Sequence, residues 1–150
     1  RTPAGDATMD NVGNIAIPIN TITDEQIKSN ADLLKSNIHF DIDGGGSAIT
    51  TGNKAWVRIP FDMTIQSWEI TADQSGSITV GIQKSTYNNF DTFSYISGTE
   101  KPILASAIRN QDATLTTWDT LISAGDYIRA TADGVANITK VSIDIYGVKK

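Results

Sequence analysis

The run His39-Phe40-Asp41-Ile42-Asp43 carries the side chains of this sequence that are best suited to chemistry. A serine hydrolase needs a histidine base beside a serine and a carboxylate, and His39 is the only histidine in the chain. A glycosidase needs two carboxylates, which Asp41 and Asp43 could supply because alternate residues of a strand share one face. All three side chains occupy the polar phase of a predicted strand, and nothing around them marks a buried acid. We therefore expect no catalytic residue and a protein that is not an enzyme.

The segment Asp41-Ile42-Asp43-Gly44-Gly45-Gly46-Ser47 joins two aspartates to a glycine run. Oxygen ligands and flexible glycines suit calcium, but an EF-hand loop needs further oxygens at fixed positions and a terminal glutamate. A phosphate-binding loop needs a following Lys-Ser/Thr and a helix. Because the sequence has neither, we predict a strand end with a glycine turn. The lack of cysteine excludes thiolate zinc sites, and we expect no metal and no cofactor.

A polar segment at 85–98 is dense in aromatic residues. Aromatic rings give a large contact area at low entropy cost and can stack on sugars, so the segment is a candidate ligand-binding loop. The alternative is a lid, in which the same rings pack over one open end of the fold. The four candidate ligand-binding residues are Tyr87, Phe90, Phe93 and Tyr95.

From residue 38 onward, apolar and polar residues alternate with the period of half-buried β-strands. Weaker patterns near 103–108 and 114–118 bring the number of predicted strands to about eight. Alternation of this kind indicates antiparallel sheets with one face in water. We predict an all-β, antiparallel β-sandwich of jelly-roll type over residues 38–150. The predicted inward phases are Ile38/Phe40/Ile42, Ala55/Val57/Ile59, Ile78/Val80/Ile82, Ile128/Ala130/Ala132 and Val141/Ile143/Ile145.

Two polar, glycine-containing segments predict hairpin turns: 73–76 and Asp133-Gly134. In addition, Ile65 is out of phase with Trp68 and Ile70, and a β-bulge near residues 66–67 would restore the alternation. Trp68, in phase with Ile70, is expected in the core.

Residues 1–37 have a different composition and form the predicted N-terminal region. Its first part is polar and contains Pro3, which indicates an extended arm. Thr23 and Gln26 have the spacing of a capping box, and the apolar residues that follow predict a short helix at about 24–36. Trp56 lies opposite Val57 in its strand and is expected to face a neighbouring subunit. The predicted contacts with a capsid or a neighbouring subunit are Ile15, Ile17, Ile19, Ile27, Leu34 and Trp56.

The composition limits the partners. A formal charge of −5 disfavours binding to nucleic acid, which usually requires a basic patch. No apolar run is long enough to span a bilayer, so we expect no membrane partner. Without disulfides, stability must come from packing and association, and we expect a homo-oligomer, with a trimer favoured.

From about residue 38 to 147 the chain resembles a structural domain of tailed-bacteriophage virions. This resemblance implies a location on the surface of a virus particle and supplies no catalytic residues. It rests on five ordered segments: DGGGSAITTG at 43–52, ADQSGSI at 72–78, KSTY at 84–87, KP at 101–102 and SAGD at 123–126.

Three functions fit these observations. The first is a capsid decoration (cement) protein whose N-terminal arm binds the major capsid protein or another virion protein. The second is a tail-fibre or tail-tip module whose aromatic loop binds a glycan of the host cell surface. The third is a secreted carbohydrate-binding domain of an enzyme, which has the same fold logic but lacks a linker or partner domain in this sequence.

Overall fold

The computed structural model describes residues 8–9, 15–16 and 34–150. The chain divides after Leu34 into two units. In the first, β1 (Thr8–Met9) pairs antiparallel with β2 (Ile15–Ala16). The helix predicted at about 24–36 lies outside the described residues as far as residue 33. The prediction is wrong at positions 35 and 36, because a strand begins at Lys35.

The second unit is built from antiparallel strands and one short 3-10 helix. Within the described residues there is no helix long and apolar enough to cross a bilayer. The strands are β3 (Lys35–Asp43), β4 (Gly52–Arg58), β5 (Met63–Ser85), β6 (Ser94–Tyr95), β7 (Ile103–Asp112), β8 (Leu121–Ile122), β9 (Tyr127–Ala136) and β10 (Lys140–Lys149). The 3-10 helix is η1 (Tyr87–Asn89).

The pairing is nested, as in a jelly roll: β3 pairs with β10, β4 with β9, and β5 with β7. The long strand β5 takes part in two layers. Its first part, 63–72, pairs with β10, and its second part, 77–85, pairs with β9. We call the layer with β3, β10 and the first part of β5 sheet I, and the layer with β4, β9, β6 and the second part of β5 sheet II. The predicted all-β antiparallel sandwich is confirmed.

The alternating residues of both sheets form the core, and burial of each large apolar side chain stabilises the fold by about 1.5–3 kcal/mol. The inward phases predicted for β3, β9, β10 and the second part of β5 are buried. Trp68 is buried as predicted, at 3% exposed. The inward phase predicted for Ala55, Val57 and Ile59 is only partly buried. Val57 is 37% exposed because β4 is an edge strand, whereas Ile59, just after β4, is buried.

The hairpin predicted at 73–76 is wrong, because β5 runs through these residues without reversing. Gly76 is needed for a close approach: a Cβ there would lie 2.6 Å from the Ala136 carbonyl oxygen. Asp73 accepts hydrogen bonds from the Lys140 backbone N–H (3.0 Å) and from the Thr139 hydroxyl. These polar residues therefore bind the β9–β10 turn and do not form a turn of their own.

The reversal predicted at Asp133-Gly134 is also misplaced. β9 continues to Ala136, and the chain turns at 137–139, where Asn137 has a φ of +63°. The strand predicted near 114–118 is wrong as well: this segment is irregular, and its Trp118 ring nitrogen donates to the Glu100 carbonyl oxygen (2.9 Å).

The predicted β-bulge is confirmed. Tyr146 pairs with Ser67 and Gly147 pairs with Ile65, so Gln66 is the extra residue. The bulge places both Ile65 and Trp68 in the core, as the phase argument required.

Candidate functional site

One row of residues crosses the outer face of sheet II. Trp56 of β4 pairs with Arg129 of β9, Arg129 pairs with Gln83 of β5, and Gln83 pairs with Tyr95 of β6. Directly opposed residues project from the same side of a sheet. Because the alternate positions of β9 and β5 are in the core, this row lies on the solvent side.

The loop between β5 and β6 covers part of this row with aromatic rings. Phe90 makes three edge-to-face contacts, with ring centroids 5.8 Å from Trp56, 5.5 Å from Phe93 and 4.8 Å from Tyr127. The hydroxyl of Ser85, at the end of β5, lies 2.8 Å from the carbonyl oxygen of Thr92 and holds the loop closed. Phe90 is therefore the centre of a four-ring cluster on a sheet surface.

Arg129 is fixed beside this cluster. Its Nε and Nη2 donate to the side-chain oxygen of Gln83 at 2.8 and 2.6 Å. Its guanidinium carbon lies 3.9 Å from the centroid of the Phe93 ring, in cation–π geometry. Gln83 is only 7% exposed, so a buried neutral amide holds the arginine from below.

Tyr95 and Asp133 form the other end of the row. The Tyr95 hydroxyl donates to Asp133 (3.0 Å), as does the Thr131 hydroxyl (2.7 Å), and Lys101 Nζ lies 2.7 Å from the second carboxylate oxygen. Burial by itself raises the pKa of Asp133, but the hydrogen bonds from Lys101, Thr131 and Tyr95 bring this pKa below its ordinary value. The carboxylate is thus ionised and already paired.

Gly81 allows the Tyr95 ring to lie close against the sheet. A Cβ at this position would collide with the ring of Tyr95 and come within 2.7 Å of Asp133 and Thr131. We call the whole surface the aromatic face, defined by Trp56, Gln83, Phe90, Phe93, Tyr95, Lys101, Tyr127, Arg129, Thr131 and Asp133.

The structure brings four of the predicted contact residues together and leaves others elsewhere. Trp56, Phe90, Phe93 and Tyr95 all belong to the aromatic face. Tyr87, in η1, is 76% exposed, and Leu34 is half-buried. The predicted contacts Ile17, Ile19 and Ile27 lie outside the described residues, and Ile15 is described only as part of β2.

Sequence reasoning missed six of the ten residues of this face. The alternation that predicts the inward phase of β9 also predicts that Tyr127, Arg129 and Thr131 share its outward side. The proximity of these residues to Trp56 could not be predicted, because it depends on the register between β4 and β9. The remaining missed residues are Gln83, Lys101 and Asp133.

The outer face of sheet I, which we call the polar face, carries the residues first considered for catalysis. His39 Nδ1 donates to Asp144 at 2.9 Å, and its Nε2 lies 3.3 Å from Asp41. The hydrogen bond to Asp144 raises the pKa of His39, against a lowering by partial burial, and Asp41 adds to the rise. The Ser142 hydroxyl donates to Asp41 and not to the imidazole, so this is no nucleophile–base pair.

The glycine turn after β3 forms as predicted. Asp43 accepts a hydrogen bond from the Gly45 backbone N–H (2.7 Å), and Gly45 and Gly46 have φ angles of +65° and +84°. In the part of the chain that is described, no three His, Asp or Glu side chains are grouped to hold a metal ion.

No protein-family model and no curated protein matches the sequence. Solved structures overlap with it at low similarity. The serine protease of Aeromonas sobria is 11% identical with a TM-score of 0.33, and the match covers 94% of this chain and 33% of the protease, so this chain spans about a third of that protein. A CBM4 structure is 11% identical with a TM-score of 0.34, covering 76% of this chain and 81% of the other. The N-terminal cellulose-binding domain of Cellulomonas fimi β-1,4-glucanase C is 9% identical with a TM-score of 0.33, covering 76% and 77%. Function therefore has to be inferred from the residues of the face.

Proposed function

We propose that this protein is a non-catalytic binding module whose aromatic face binds a glycan. The observation that carries the proposal is the row Trp56–Arg129–Gln83–Tyr95 on the outside of sheet II. Sugars present apolar C–H faces and a rim of hydroxyl groups. A fixed set of exposed rings beside hydrogen-bonding side chains is complementary to both.

Exposure of the rings supports binding over internal packing alone. Trp56 is 58% exposed, Tyr95 48% and Phe90 39%. Grouped exposed apolar surface is unfavourable in water and commonly marks an interaction site. The edge-to-face contacts and the Arg129–Gln83 bond fix these groups before binding, which lowers the entropy cost of association.

Flat sheet surfaces suit extended ligands. The row spans four neighbouring strands, which lie about 4.8 Å apart, so it is about 15 Å long. This length accommodates an oligosaccharide of several residues better than a single sugar.

The test is a glycan-binding screen followed by calorimetry on wild-type protein and two matched variants. Trp56→Ala removes an exposed ring of the aromatic face, and we expect it to reduce affinity about 100-fold or more, because buried aromatic anchors dominate interfaces. Tyr146→Ala removes a comparably exposed ring, 40% accessible, from the polar face and should leave affinity unchanged. Equal losses in both variants, or full binding by Trp56→Ala, would contradict the proposal.

The location that accompanies this proposal is the surface of a virus particle, as a tail-fibre or tail-tip module that binds a host glycan. Only the sequence resemblance supports that location. The capsid-decoration hypothesis, which depends on the N-terminal arm, and the trimer stay predictions.

A further inference from the structure

We propose that the aromatic face selects acidic glycans, and that Arg129 binds the oxyanion of the sugar. This inference rests on the glycan-binding function proposed above. The shared chemistry of the ligands is a carboxylate or sulfate carried by a sugar ring.

The first argument is the charge of the face in an acidic chain. The protein has a net charge of −5, yet the outward positions of β4 and β9 hold Arg58 and Arg129. Arg58 pairs with Tyr127 of the ring cluster and so lies on the same side of the sheet. Asp133, the carboxylate of this face, is already paired with Lys101. Within the described residues, therefore, neither Arg58 nor Arg129 forms a salt bridge with a carboxylate.

The second argument is the bonding of Arg129. Among the described residues no carboxylate forms an ion pair with it, and its hydrogen-bond acceptor is the neutral side chain of Gln83. Two of its five N–H groups are used on Gln83, which leaves three for a ligand. A half-buried guanidinium with a neutral partner gains most from an anion, because charge-assisted bonds are about twice as strong as neutral ones.

The third argument is orientation. Phe93 lies under the guanidinium, and Gln83 fixes one edge of its plane. The Nη1 and Nη2 hydrogens that Gln83 does not use form the fork that is left for a ligand. Planar, bidentate recognition of an oxyanion requires such a preset fork, and a flexible lysine does not supply it.

Three glycan pairs measure the preference, each with an acidic and a neutral member. Oligogalacturonate and its methyl ester test a uronate, sialyllactose and lactose test a sialate, and a sulfated galactan with its desulfated form tests a sulfate. We expect wild-type protein to bind the acidic member of at least one pair about tenfold or more tightly. This difference should shrink as NaCl is raised, because salt screens the ion pair.

The deciding variant is Gln83→Glu, which places a carboxylate under Arg129 with almost no change of shape. We expect the ratio of acidic to neutral affinity to fall to about one in this variant. Arg129→Met, which keeps an apolar stem on Phe93, should do the same. Gln111→Glu makes the same charge change on exposed β7 and is the control that should keep the preference.

The possible failures are separable. If both members of a pair bind equally and Trp56→Ala abolishes both, glycan binding stands and the acidic preference is overturned. The same holds if Gln83→Glu keeps the preference. If wild-type protein binds none of the six glycans and the wider screen is also negative, both proposals fail.

Discussion

The polar face of sheet I and the aromatic face of sheet II arise from the same strand alternation but present different side chains to solvent. On the polar face the outward residues bind one another: Asn37 and His39 both donate to Asp144, at 2.7 and 2.9 Å. On the aromatic face, Trp56 and Phe90 contact each other and still remain 58% and 39% exposed.

The same fold therefore has one face whose polar groups are already satisfied and another face whose exposed groups can bind a ligand. Side chains on the polar face satisfy their hydrogen bonds within the protein or with water, so the face gains little from a partner. The aromatic face keeps apolar area in water, and no carboxylate of residues 34–150 pairs with Arg129, so the exposed groups of this face gain free energy when a complementary ligand covers them. The following variants test that contrast.

Phe90→Ala should have the largest effect on stability. Phe90 is the centre of the ring cluster, and each of its three aromatic contacts contributes about 0.5–1.5 kcal/mol beyond area burial. Allowing for its exposure, we expect the free energy of unfolding to fall by about 2 kcal/mol, measured by urea denaturation. Glycan affinity should fall as well, because the 86–93 loop is no longer held against Trp56.

Tyr87→Ala is the control for this loop. Tyr87 is 76% exposed and its ring contacts no other aromatic ring of residues 34–150, so its removal should change the free energy of unfolding by less than about 0.5 kcal/mol. If Phe90→Ala also proved as stable as wild type, the ring cluster would not be what holds the loop on sheet II.

Gly81→Ala should weaken both glycan binding and the fold. The new methyl group would collide with Tyr95, whose ring is 48% exposed and can swing away from the sheet. Relief of this overlap should limit the loss of stability to about 1–2 kcal/mol. The displaced ring should cost about tenfold in glycan affinity by calorimetry, since about 1.4 kcal/mol is a factor of ten.

Gly134→Ala provides the comparison, because a Cβ at Gly134 has no neighbour within 4 Å. It lies in the same sheet and should leave affinity unchanged. Equal behaviour of the two alanine variants would show that the position of Tyr95 does not matter for binding.

Much of the fold was predictable from local patterns, because burial on one face of a strand imposes a period of two. Ile143 and Ile145 illustrate this, and so does the bulge at Gln66, which was needed to bring Ile65 into phase. The positions of the turns were harder to predict from the sequence. The polar pattern at 73–76 predicts a reversal, whereas the missing side chain of Gly76 allows close contact with Ala136.

The candidate site was predictable only in pieces. The rings of the 85–98 segment and Trp56 were recognised separately, since exposed aromatic residues stand out in a polar context. Their meeting depends on the pairing of Trp56 with Arg129 and of Arg129 with Gln83. These residues are far apart in the chain, and register between distant strands is not encoded in any local period.

His39→Asn should have the smallest effect, confined to the polar face and to acidic pH. Because the pKa of His39 is raised in the folded state, its protonated form stabilises the fold. That contribution is fully present below the unfolded pKa of 6.5 and is lost as the pH rises through the folded value. With His39 about half exposed, solvent screening limits the contribution to about 0.5 kcal/mol. Urea denaturation at pH 5.5 should therefore show wild type more stable than His39→Asn by about this amount, and the difference should vanish near pH 8.5.

Glycan affinity should be the same in both proteins at either pH, since His39 lies on sheet I. A stability difference that grew with pH would mean that the neutral imidazole, and not the ion pair with Asp144, is the stabilising form.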